Sequence, residues 1–326
     1  MSLLQVEDLA VEFRKPAALP WQKAKVLRAV DGVNLTLDAG ETLGVVGESG
    51  CGKSTLARAI LGLVPTARGS VKFQGRELLG LSTRQMRPIR EDLQVIFQDP
   101  LASLNPRMPI GEVIAEPLKT HRPMKASERD AEVRKVMDQV GLSARMINRY
   151  PHEFSGGQCQ RIGIARALIL RPKLLICDEP VSALDVSIQA QIVNLLEDLQ
   201  KEFGLALMFI AHDLSVVRHI SDKVLVMYLG REAELASSEN LYTAPAHPYT
   251  QALIRSVPIP DPTLQTSHEP LGGDLPSPLN PPSGCAFRTR CDFAKQRCAE
   301  ERPALRAVEQ HLVACHFAEK ITNKQL

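Results

Sequence analysis

The stretch that decides the fold is Gly47-Glu48-Ser49-Gly50-Cys51-Gly52-Lys53-Ser54-Thr55, which matches the pattern G-x-x-x-x-G-K-[ST]. It follows the apolar run Leu43-Gly44-Val45-Val46 and opens a helical stretch. Because glycines let backbone N–H groups point inward, and a helix N-terminus carries partial positive charge, this arrangement predicts a phosphate-binding loop. Lys53 is expected to contact the β- and γ-phosphates of a nucleotide, and Ser54 to place its hydroxyl on Mg²⁺. The residues predicted to line the loop are Gly47, Ser49, Gly50, Cys51, Gly52, Lys53, Ser54 and Thr55.

An acidic pair follows a second apolar run. Leu174-Leu175-Ile176-Cys177 predicts a buried strand, and Asp178 and Glu179 come directly after it. An open α/β sheet places its ligand chemistry at the carboxyl ends of the strands. Asp178 is expected to hold Mg²⁺, and Glu179 to orient and deprotonate an attacking water. Alone, such a pair is more often a solvated turn, and the phosphate loop upstream is what favours a nucleotide-hydrolysing site.

A third segment, Phe154-Ser155-Gly156-Gly157-Gln158, resembles the signature loop of the ATP-binding-cassette superfamily. A small hydroxyl, two glycines and a helix start can form a second anion cradle. In the resembled family this loop of one subunit caps the γ-phosphate held by the phosphate loop of its partner. The resemblance therefore implies that Ser155, Gly156, Gly157 and Gln158 contact ATP, and that two cassettes close around two ATP molecules.

Three further residues occur in the order that the family shows. Gln98 follows the apolar run Val95-Ile96-Phe97 and matches the glutamine that touches Mg²⁺ and the attacking water. Asp185 ends Ser182-Ala183-Leu184-Asp185, which matches the loop that crosses the dimer axis. His212 matches the switch histidine that contacts the γ-phosphate. The resemblance thus implies Glu179, His212 and Gln98 as the catalytic residues.

The adenine contact is predicted near the start of the chain. Phe13 occupies the place where family members stack the base on an aromatic ring, and it lacks the hydroxyl of the more usual tyrosine. Trp21 is a competing candidate in the same region. Glu232 departs from the family's pattern, because an apolar residue is commoner at its position.

The apolar segments predict an α/β fold. Runs near Leu43, Val95, Leu174, Leu207 and Val224 predict a mainly parallel sheet with crossover helices. The alternation in Val33-Asn34-Leu35-Thr36-Leu37 predicts β structure, and apolar residues at helical spacing between Ser127 and Gly141 predict a helix. The resemblance implies a P-loop NTPase cassette over residues 1–243, with an antiparallel β subdomain and a helical signature subdomain at about residues 100–165.

Composition excludes several classes of protein. The 326-residue chain has 39 basic and 37 acidic residues, a formal net charge of +2, so no strong field points to nucleic acid or anionic lipid. No run approaches the ~18 apolar residues that would cross a bilayer, and the first residues lack the features of a signal peptide. A soluble cytosolic chain is expected, and the resemblance places it peripherally on the cytoplasmic face of a bacterial inner membrane.

The C-terminal quarter carries a second resemblance. His247-Pro248-Tyr249-Thr250-Gln251-Ala252-Leu253, a proline-rich passage and a cysteine-containing tail are similar to the C-terminal extension of oligopeptide and dipeptide importer ATPases. The extension is assigned to residues 244–326, and the best match is the second ATPase subunit of a dipeptide importer. This implies a paralogous ATPase as heterodimer partner, two transmembrane permease subunits and, indirectly, an extracytoplasmic peptide-binding protein.

Four cysteines in this tail predict a metal-holding lobe at residues 285–315, since cytosolic thiols are kept reduced. The cysteines are Cys285, Cys291, Cys298 and Cys315. They lack the C-x₂-C pairs of common motifs, so Zn²⁺, a [4Fe–4S] cluster and unliganded thiols all remain open from spacing alone, and His311 or His316 could replace one ligand. The resemblance favours the [4Fe–4S] cluster.

Two other functions are compatible with the cassette motifs. The same motor could serve a related cargo, such as nickel, glutathione or an antimicrobial peptide, because nothing in the chain selects the cargo. A soluble, non-transport cassette ATPase of translation or DNA repair is the alternative from another class. Such proteins usually carry two cassettes or a long coiled-coil insertion, and this sequence shows neither.

Overall fold

The structure is a computed structural model that describes residues 2–15, 25–257, 272 and 274–322. The chain divides into two compact units. The first unit comprises Met1–Leu37, Leu43–Leu79 and His212–Leu326, and the second comprises Asp38–Thr42 and Gly80–Ala211.

The strands, in chain order, are β1 (Leu4–Lys15), β2 (Lys25–Leu37), β3 (Thr42–Val46), β4 (Arg68–Phe73), β5 (Arg76–Glu77), β6 (Leu93–Ile96), β7 (Leu174–Asp178), β8 (Ala206–Ile210), β9 (Lys223–Tyr228), β10 (Arg231–Ser237), β11 (Arg306–Val308) and β12 (His311–Val313). The α-helices are α1 (Lys53–Ile60), α2 (Thr83–Asp92), α3 (Ile110–His121), α4 (Ala126–Gln139), α5 (Gly156–Leu168), α6 (Val186–Phe203), α7 (Leu214–Ile220), α8 (Ser238–Thr243), α9 (Pro248–Arg255), α10 (Gln296–Glu300) and α11 (Ala318–Thr322). None of the helices in these described ranges is both long and apolar enough to cross a membrane.

The first unit contains an antiparallel sheet with the strand order β2-β1-β4-β5. The predicted alternation on β2 is confirmed, because Val33, Leu35 and Leu37 are buried while Asn34 and Thr36 are exposed. This periodicity of two places the apolar face of the strand in the core.

A second set of strands in the first unit joins the phosphate loop to the C-terminal extension at residues 244–326, called the C-terminal segment below. Strand β3, which leads into the phosphate loop, pairs in parallel with β9, and β9 pairs antiparallel with β10. Strand β12 pairs antiparallel with β10, where Glu234 lies opposite Val313, and β11 completes the hairpin. The C-terminal segment therefore extends the same set of strands, and it belongs to the same compact unit as the phosphate loop.

The second unit contains the parallel strands β6, β7 and β8 and the predicted helical insert. Ile176 on β7 lies opposite Val95 on β6 and Met208 on β8. Helix α4 confirms the predicted helix, with Val133, Val136 and Met137 buried on one face. These elements, with the antiparallel sheet of the first unit, confirm the expected cassette architecture.

Candidate functional site

The phosphate loop adopts a conformation that only glycine accepts at several positions. Gly47, Gly50 and Gly52 have φ angles of +149°, +79° and +109°. A Cβ atom on Gly52 would lie 2.2 Å from the carbonyl oxygen of Ala29. The backbone at Gly52 therefore needs both the freedom and the small size of glycine.

Lys53 is folded over the loop that precedes it. Its Nζ donates to the carbonyl oxygen of Gly47 at 2.7 Å and to that of Glu48 at 3.2 Å, and the residue is only 4% exposed. Helix α1 begins at Lys53, and no side chain caps its N-terminus. An ammonium group and uncapped helix N–H groups thus meet at one place, which is the chemistry that a phosphate group requires.

The other predicted loop residues differ in exposure. Ser49 is exposed, while Ser54 and Thr55 are half-buried at the start of α1. Cys51 is buried, and burial raises the pKa of its thiol, which keeps the sulfur protonated. Because the Cys51 side chain is fully buried, we expect this residue to contact a ligand through its backbone.

The acidic strand end of the second unit brings two predicted catalytic residues together. Asp178 is the last residue of β7 and is 3% exposed. Glu179 follows with φ +51°, and its N–H donates to the carbonyl oxygen of Ile210 at 3.0 Å. The Nε2 of Gln98 donates to the Glu179 carboxylate at 2.9 Å. Gln98 lies two residues beyond the end of β6, so the glutamine and the glutamate come from neighbouring strands.

The signature loop forms the N-terminus of α5. The Ser155 hydroxyl accepts a hydrogen bond from the N–H of Gln158 at 3.4 Å, and the Gln158 side-chain oxygen accepts from the N–H of Ser155 at 3.0 Å. Ser155 and Gly156 are exposed. The capping box fixes this helix start while leaving its hydroxyl and glycine at the surface.

The segment that contains Asp185 packs beside the signature loop. Asp185 caps α6 by accepting from the N–H of Ile188 at 3.0 Å, and a Cβ atom on Gly157 would lie 2.6 Å from Cγ2 of Ile188. The hydrogen bonds from Ile188 and Ser187 lower the pKa of Asp185, so its carboxylate is ionised. Val186, which follows, is 82% exposed. This part of the second unit therefore presents an anion, a hydroxyl and an apolar side chain to the surface.

The remaining predicted nucleotide contacts lie in the first unit. Phe13 is on β1 and is 39% exposed, so part of the residue is accessible. His212 is exposed and precedes α7 by two residues. Trp21, the competing aromatic candidate, lies outside the described residues.

The four C-terminal cysteines line one small cavity, together with His316 and Phe317. Burial raises the pKa of Cys291 to about 12 and that of Cys315 to about 11, so these thiols are protonated. Within the described residues, however, no group of three or more His, Cys, Asp or Glu side chains has the arrangement of a metal site. The structure gathers the predicted thiols and does not form a metal centre from them.

One proposed substitute ligand is engaged elsewhere. Nδ1 of His311 lies 2.7 Å from the carboxylate of Glu234, which is completely buried. Burial alone would raise the pKa of Glu234, but the adjacent imidazole of His311 and hydrogen bonds from two backbone N–H groups outweigh it and lower that pKa. The expectation that His311 could join the cysteines is therefore wrong, because the imidazole pairs with a buried carboxylate that lies outside the cysteine cavity.

The contacts of Glu48, a position that the phosphate-loop pattern leaves unspecified, could not be predicted from the sequence. Its carboxylate pairs with Arg290, and its backbone N–H donates to the hydroxyl of Tyr249. Arg290 had no signal in the sequence, whereas Tyr249 belongs to the His-Pro-Tyr motif that was recognised without a role. The C-terminal segment thus reaches the phosphate loop directly.

Known proteins match the chain over nearly its full length. Residues 30–182 match the family model described as "ABC transporter", and residues 233–298 match "Oligopeptide/dipeptide transporter, C-terminal region". The chain is 61% identical over 319 residues to the oligopeptide transport ATP-binding protein OppF of Salmonella typhimurium, covering 96% of this chain and 95% of that protein. It is 51% identical to the di/tripeptide transport ATP-binding protein DppF of Pseudomonas aeruginosa, with 98% of each chain covered.

Solved structures agree with these sequence matches. The dimeric structure of an ATP-binding cassette in a post-hydrolysis state, bound to ADP and Pi, superimposes with a TM-score of 0.65 at 27% identity, covering 72% of this chain and 98% of that one. The cassette CbiO1 of Clostridium perfringens, part of an ABC transporter complex, gives a TM-score of 0.64 at 26% identity, covering 74% of this chain and 90% of that one. On this evidence, the chain belongs to the ABC transporter family, among the ATP-binding proteins that carry the oligopeptide/dipeptide transporter C-terminal region.

Proposed function

We propose that this protein is the ATP-hydrolysing motor subunit of an importer for dipeptides or oligopeptides. The observation that carries the proposal is the joining of two features in one compact unit: a phosphate loop with an uncapped helix start, and a C-terminal segment of the oligopeptide/dipeptide transporter type. The peptide cargo is proposed from the relatives' names, since cargo selection lies outside the ATPase.

The residue roles in ATP hydrolysis follow from the chemistry of each group. Lys53 leaves the two loop carbonyls and binds the β- and γ-phosphates. Ser54 and Asp178 would hold Mg²⁺ through hard oxygen ligands, and the ion would supply positive charge that neutralises the phosphates. Glu179 accepts a proton from the attacking water, and Gln98 orients the Glu179 carboxylate through its hydrogen bond.

A second cassette completes the proposed mechanism. The exposed signature loop and the ionised Asp185 would face the phosphate loop of a paralogous ATPase subunit. Val186 supports this assignment, because a valine that is 82% exposed beside two polar loops is suited to burial against a partner. We also propose that the two ATPase subunits bind two membrane permease subunits at the cytoplasmic face of a bacterial inner membrane.

We further propose that the four cysteines hold a [4Fe–4S] cluster, with Zn²⁺ as the competing occupant. The support is chemical: four thiols and no carboxylate line one cavity, a donor set that suits either group. The cavity is only about 20 Å³, so the side chains would have to move outward to admit a cluster. The group would link parts of the C-terminal segment and would take no part in ATP hydrolysis.

Uptake and co-purification test the transport function. A strain that lacks this gene should lose uptake of labelled dipeptides or oligopeptides, and expression of the wild-type chain should restore it, whereas expression of Lys53→Ala should not. The wild-type chain should co-purify from membranes with two multi-spanning proteins and a second cassette. If the strain instead loses uptake of nickel, glutathione or an antimicrobial peptide, that compound would be the cargo of the importer. Co-purification with ribosomes would contradict the transport assignment.

Metal analysis tests the cysteine proposal separately. Anaerobically purified protein should contain about four iron and four acid-labile sulfide per chain, and a variant with all four C-terminal cysteines changed to Ser should contain none. One zinc per chain without acid-labile sulfide would show that the cysteines hold Zn²⁺ and not a cluster. Absence of both would overturn metal binding and leave the ATPase proposal standing.

A further inference from the structure

The C-terminal segment grips the carboxylate of Glu48 in the phosphate loop. Nη1 of Arg290 donates to Oε2 of Glu48 at 2.6 Å, and Nη2 donates to Oε1 at 2.9 Å. The Arg290 side chain is only 4% exposed. The hydrogen bonds with Glu48 raise the pKa of Arg290 despite the opposing effect of burial, so the guanidinium remains charged. A bidentate pair of this kind fixes both distance and orientation.

Tyr249 holds the main chain of the same residue. Its hydroxyl oxygen accepts a hydrogen bond from the Glu48 N–H at 2.8 Å, and the tyrosine is completely buried. Burial raises the pKa of Tyr249, so the hydroxyl is neutral. The carbonyl oxygen of Glu48 accepts from Lys53 Nζ at 3.2 Å. The same carbonyl oxygen also accepts from the N–H of Cys51 at 3.2 Å. Every polar group of Glu48 is therefore engaged, and two of its four partner residues lie about two hundred positions downstream.

The His-Pro-Tyr motif fixes the position of Tyr249 at the start of α9. Nδ1 of His247 accepts from the N–H of Tyr249 at 3.0 Å and caps α9, while Pro248 occupies the first helical position, where its missing N–H is tolerated. The carboxylate of Glu234 accepts from the N–H groups of Ala246 and His247, both at 2.9 Å. Buried hydrogen bonds thus fix the start of α9.

Aromatic packing connects Tyr249 to the cysteine-containing part of the segment. The ring of Tyr249 lies 4.7 Å from that of Tyr228 and 5.3 Å from that of Phe287, measured between centroids. Phe287 immediately precedes the short 3₁₀ helix Arg288–Arg290, and Arg290 is followed directly by Cys291. Tyr249 and Arg290, the residues of the C-terminal segment that contact Glu48, therefore belong to one packed structure.

We propose that Arg290 and Tyr249 are positioning residues that hold the phosphate loop in its nucleotide-accepting conformation, so that the ATP affinity of the cassette depends on the C-terminal segment. This inference rests on the proposed role of the phosphate loop in ATP binding. Arg290 acts in two ways: it orients Glu48, and it neutralises a carboxylate in a loop that binds an anion. Without Arg290, the Glu48 carboxylate would repel the phosphates and the loop would lose a fixed point.

The test is nucleotide binding by the purified full-length chain, measured by titration with a fluorescent ATP analogue, together with KM and kcat for ATP. Arg290→Gln should raise the Kd and KM by about 10-fold and change kcat by less than about 2-fold. Glu48→Gln should partly restore binding in the double variant, because it removes the unpaired charge. Arg290→Lys, which keeps the charge and loses the bidentate geometry, should give an intermediate Kd.

Arg297→Gln is the matched control, because Arg297 lies in the same C-terminal segment and, among the residues that the structure describes, forms an ion pair only with the exposed Glu301. Its Kd should equal that of the wild type. A wild-type Kd for Arg290→Gln, or an equal loss in Arg297→Gln, would overturn the inference. If Arg290→Gln does not fold, Tyr249→Phe removes a single hydroxyl, and the result expected of it is a Kd raised by about 5-fold in protein that is still folded at the assay temperature, with a melting temperature lowered by a few degrees. An unchanged Kd in this variant would overturn the role of Tyr249.

Lys53→Ala separates this inference from the proposed function. Wild-type nucleotide binding by Lys53→Ala would overturn the assignment of the phosphate loop itself. Loss of binding in Lys53→Ala beside normal binding in Arg290→Gln would overturn only the positioning role.

Discussion

Gln98 and Glu179 meet in the second unit, where the amide of Gln98 donates a 2.9 Å hydrogen bond to the Glu179 carboxylate. Glu179 has φ +51°, a conformation that costs a residue with a Cβ atom about 1 kcal/mol or more. The Glu179 N–H, bonded to the carbonyl oxygen of Ile210, helps to hold it there. A strained backbone directly after a buried strand supports the proposal that this carboxylate must point in one particular direction.

Glu179→Gln should abolish ATP hydrolysis and leave ATP binding intact. The amide cannot accept the proton of the attacking water, so turnover should fall by roughly 10²- to 10⁴-fold. Steady-state hydrolysis and nucleotide titration of the purified variant measure the two effects. Glu202→Gln is the control, because Glu202 is an exposed residue on α6 whose carboxylate accepts from the surface residue Gln139. Near-normal turnover in Glu179→Gln would remove this residue from the mechanism.

The phosphate loop was predictable because its chemistry is local. Two glycines and a lysine at fixed spacing, with a third glycine between them, favour one backbone path, and the structure has positive φ angles at Gly47, Gly50 and Gly52. Helix α4 was predictable for a similar reason, since its buried residues Val133, Val136 and Met137 recur at helical spacing. Patterns that act within one element can therefore be found in the sequence alone.

The C-terminal contacts were not predictable, because they join residues that are distant in sequence. Strands β11 and β12 have only three residues each, too few to show a period of two, and β12 finds its register against β10 about 80 residues earlier. Arg290 and Glu48 are separated by 242 positions, and neither carries a local signal of the other. Their pairing depends on tertiary structure that no single segment encodes.

Gly47→Ala should be far more damaging than Gly50→Ala, although both residues have positive φ angles. A Cβ atom at position 47 would lie 2.2 Å from the carbonyl oxygen of Met227, whereas one at position 50 would meet no atom within 4 Å. We expect Gly50→Ala to lower the free energy of unfolding by about 1 kcal/mol, from backbone strain alone. Gly47→Ala should lower it by about 3 kcal/mol or more. Urea unfolding measures both, and equal losses would contradict the close approach at Gly47.

His247→Asn should reduce the loss of stability on acidification. Burial lowers the pKa of His247 from 6.5 to about 4, against the opposing effect of Glu234. A group with a lowered folded-state pKa contributes stability that is present above pH 6.5 and is lost as the pH falls toward 4, here roughly 3 kcal/mol. Asparagine can still cap α9 and does not titrate. Urea unfolding between pH 7 and pH 4.5 should therefore show a shallower loss in the variant, and parallel curves would contradict the assignment.

Glu232→Gln should show the opposite dependence on pH. Burial raises the pKa of Glu232 from 4.5 to about 7, although hydrogen bonds from Asn34 and the charge of Arg302 oppose the shift. A raised folded-state pKa in an acid means that its contribution to stability is present below pH 4.5 and is lost as the pH rises through 7. Glutamine keeps an acceptor for the Asn34 N–H and cannot ionise. The variant should therefore gain about 2 kcal/mol relative to the wild type between pH 5 and pH 8.5, measured by urea unfolding. A constant difference across this range would show that the Glu232 carboxylate ionises as freely in the folded chain as in the unfolded one.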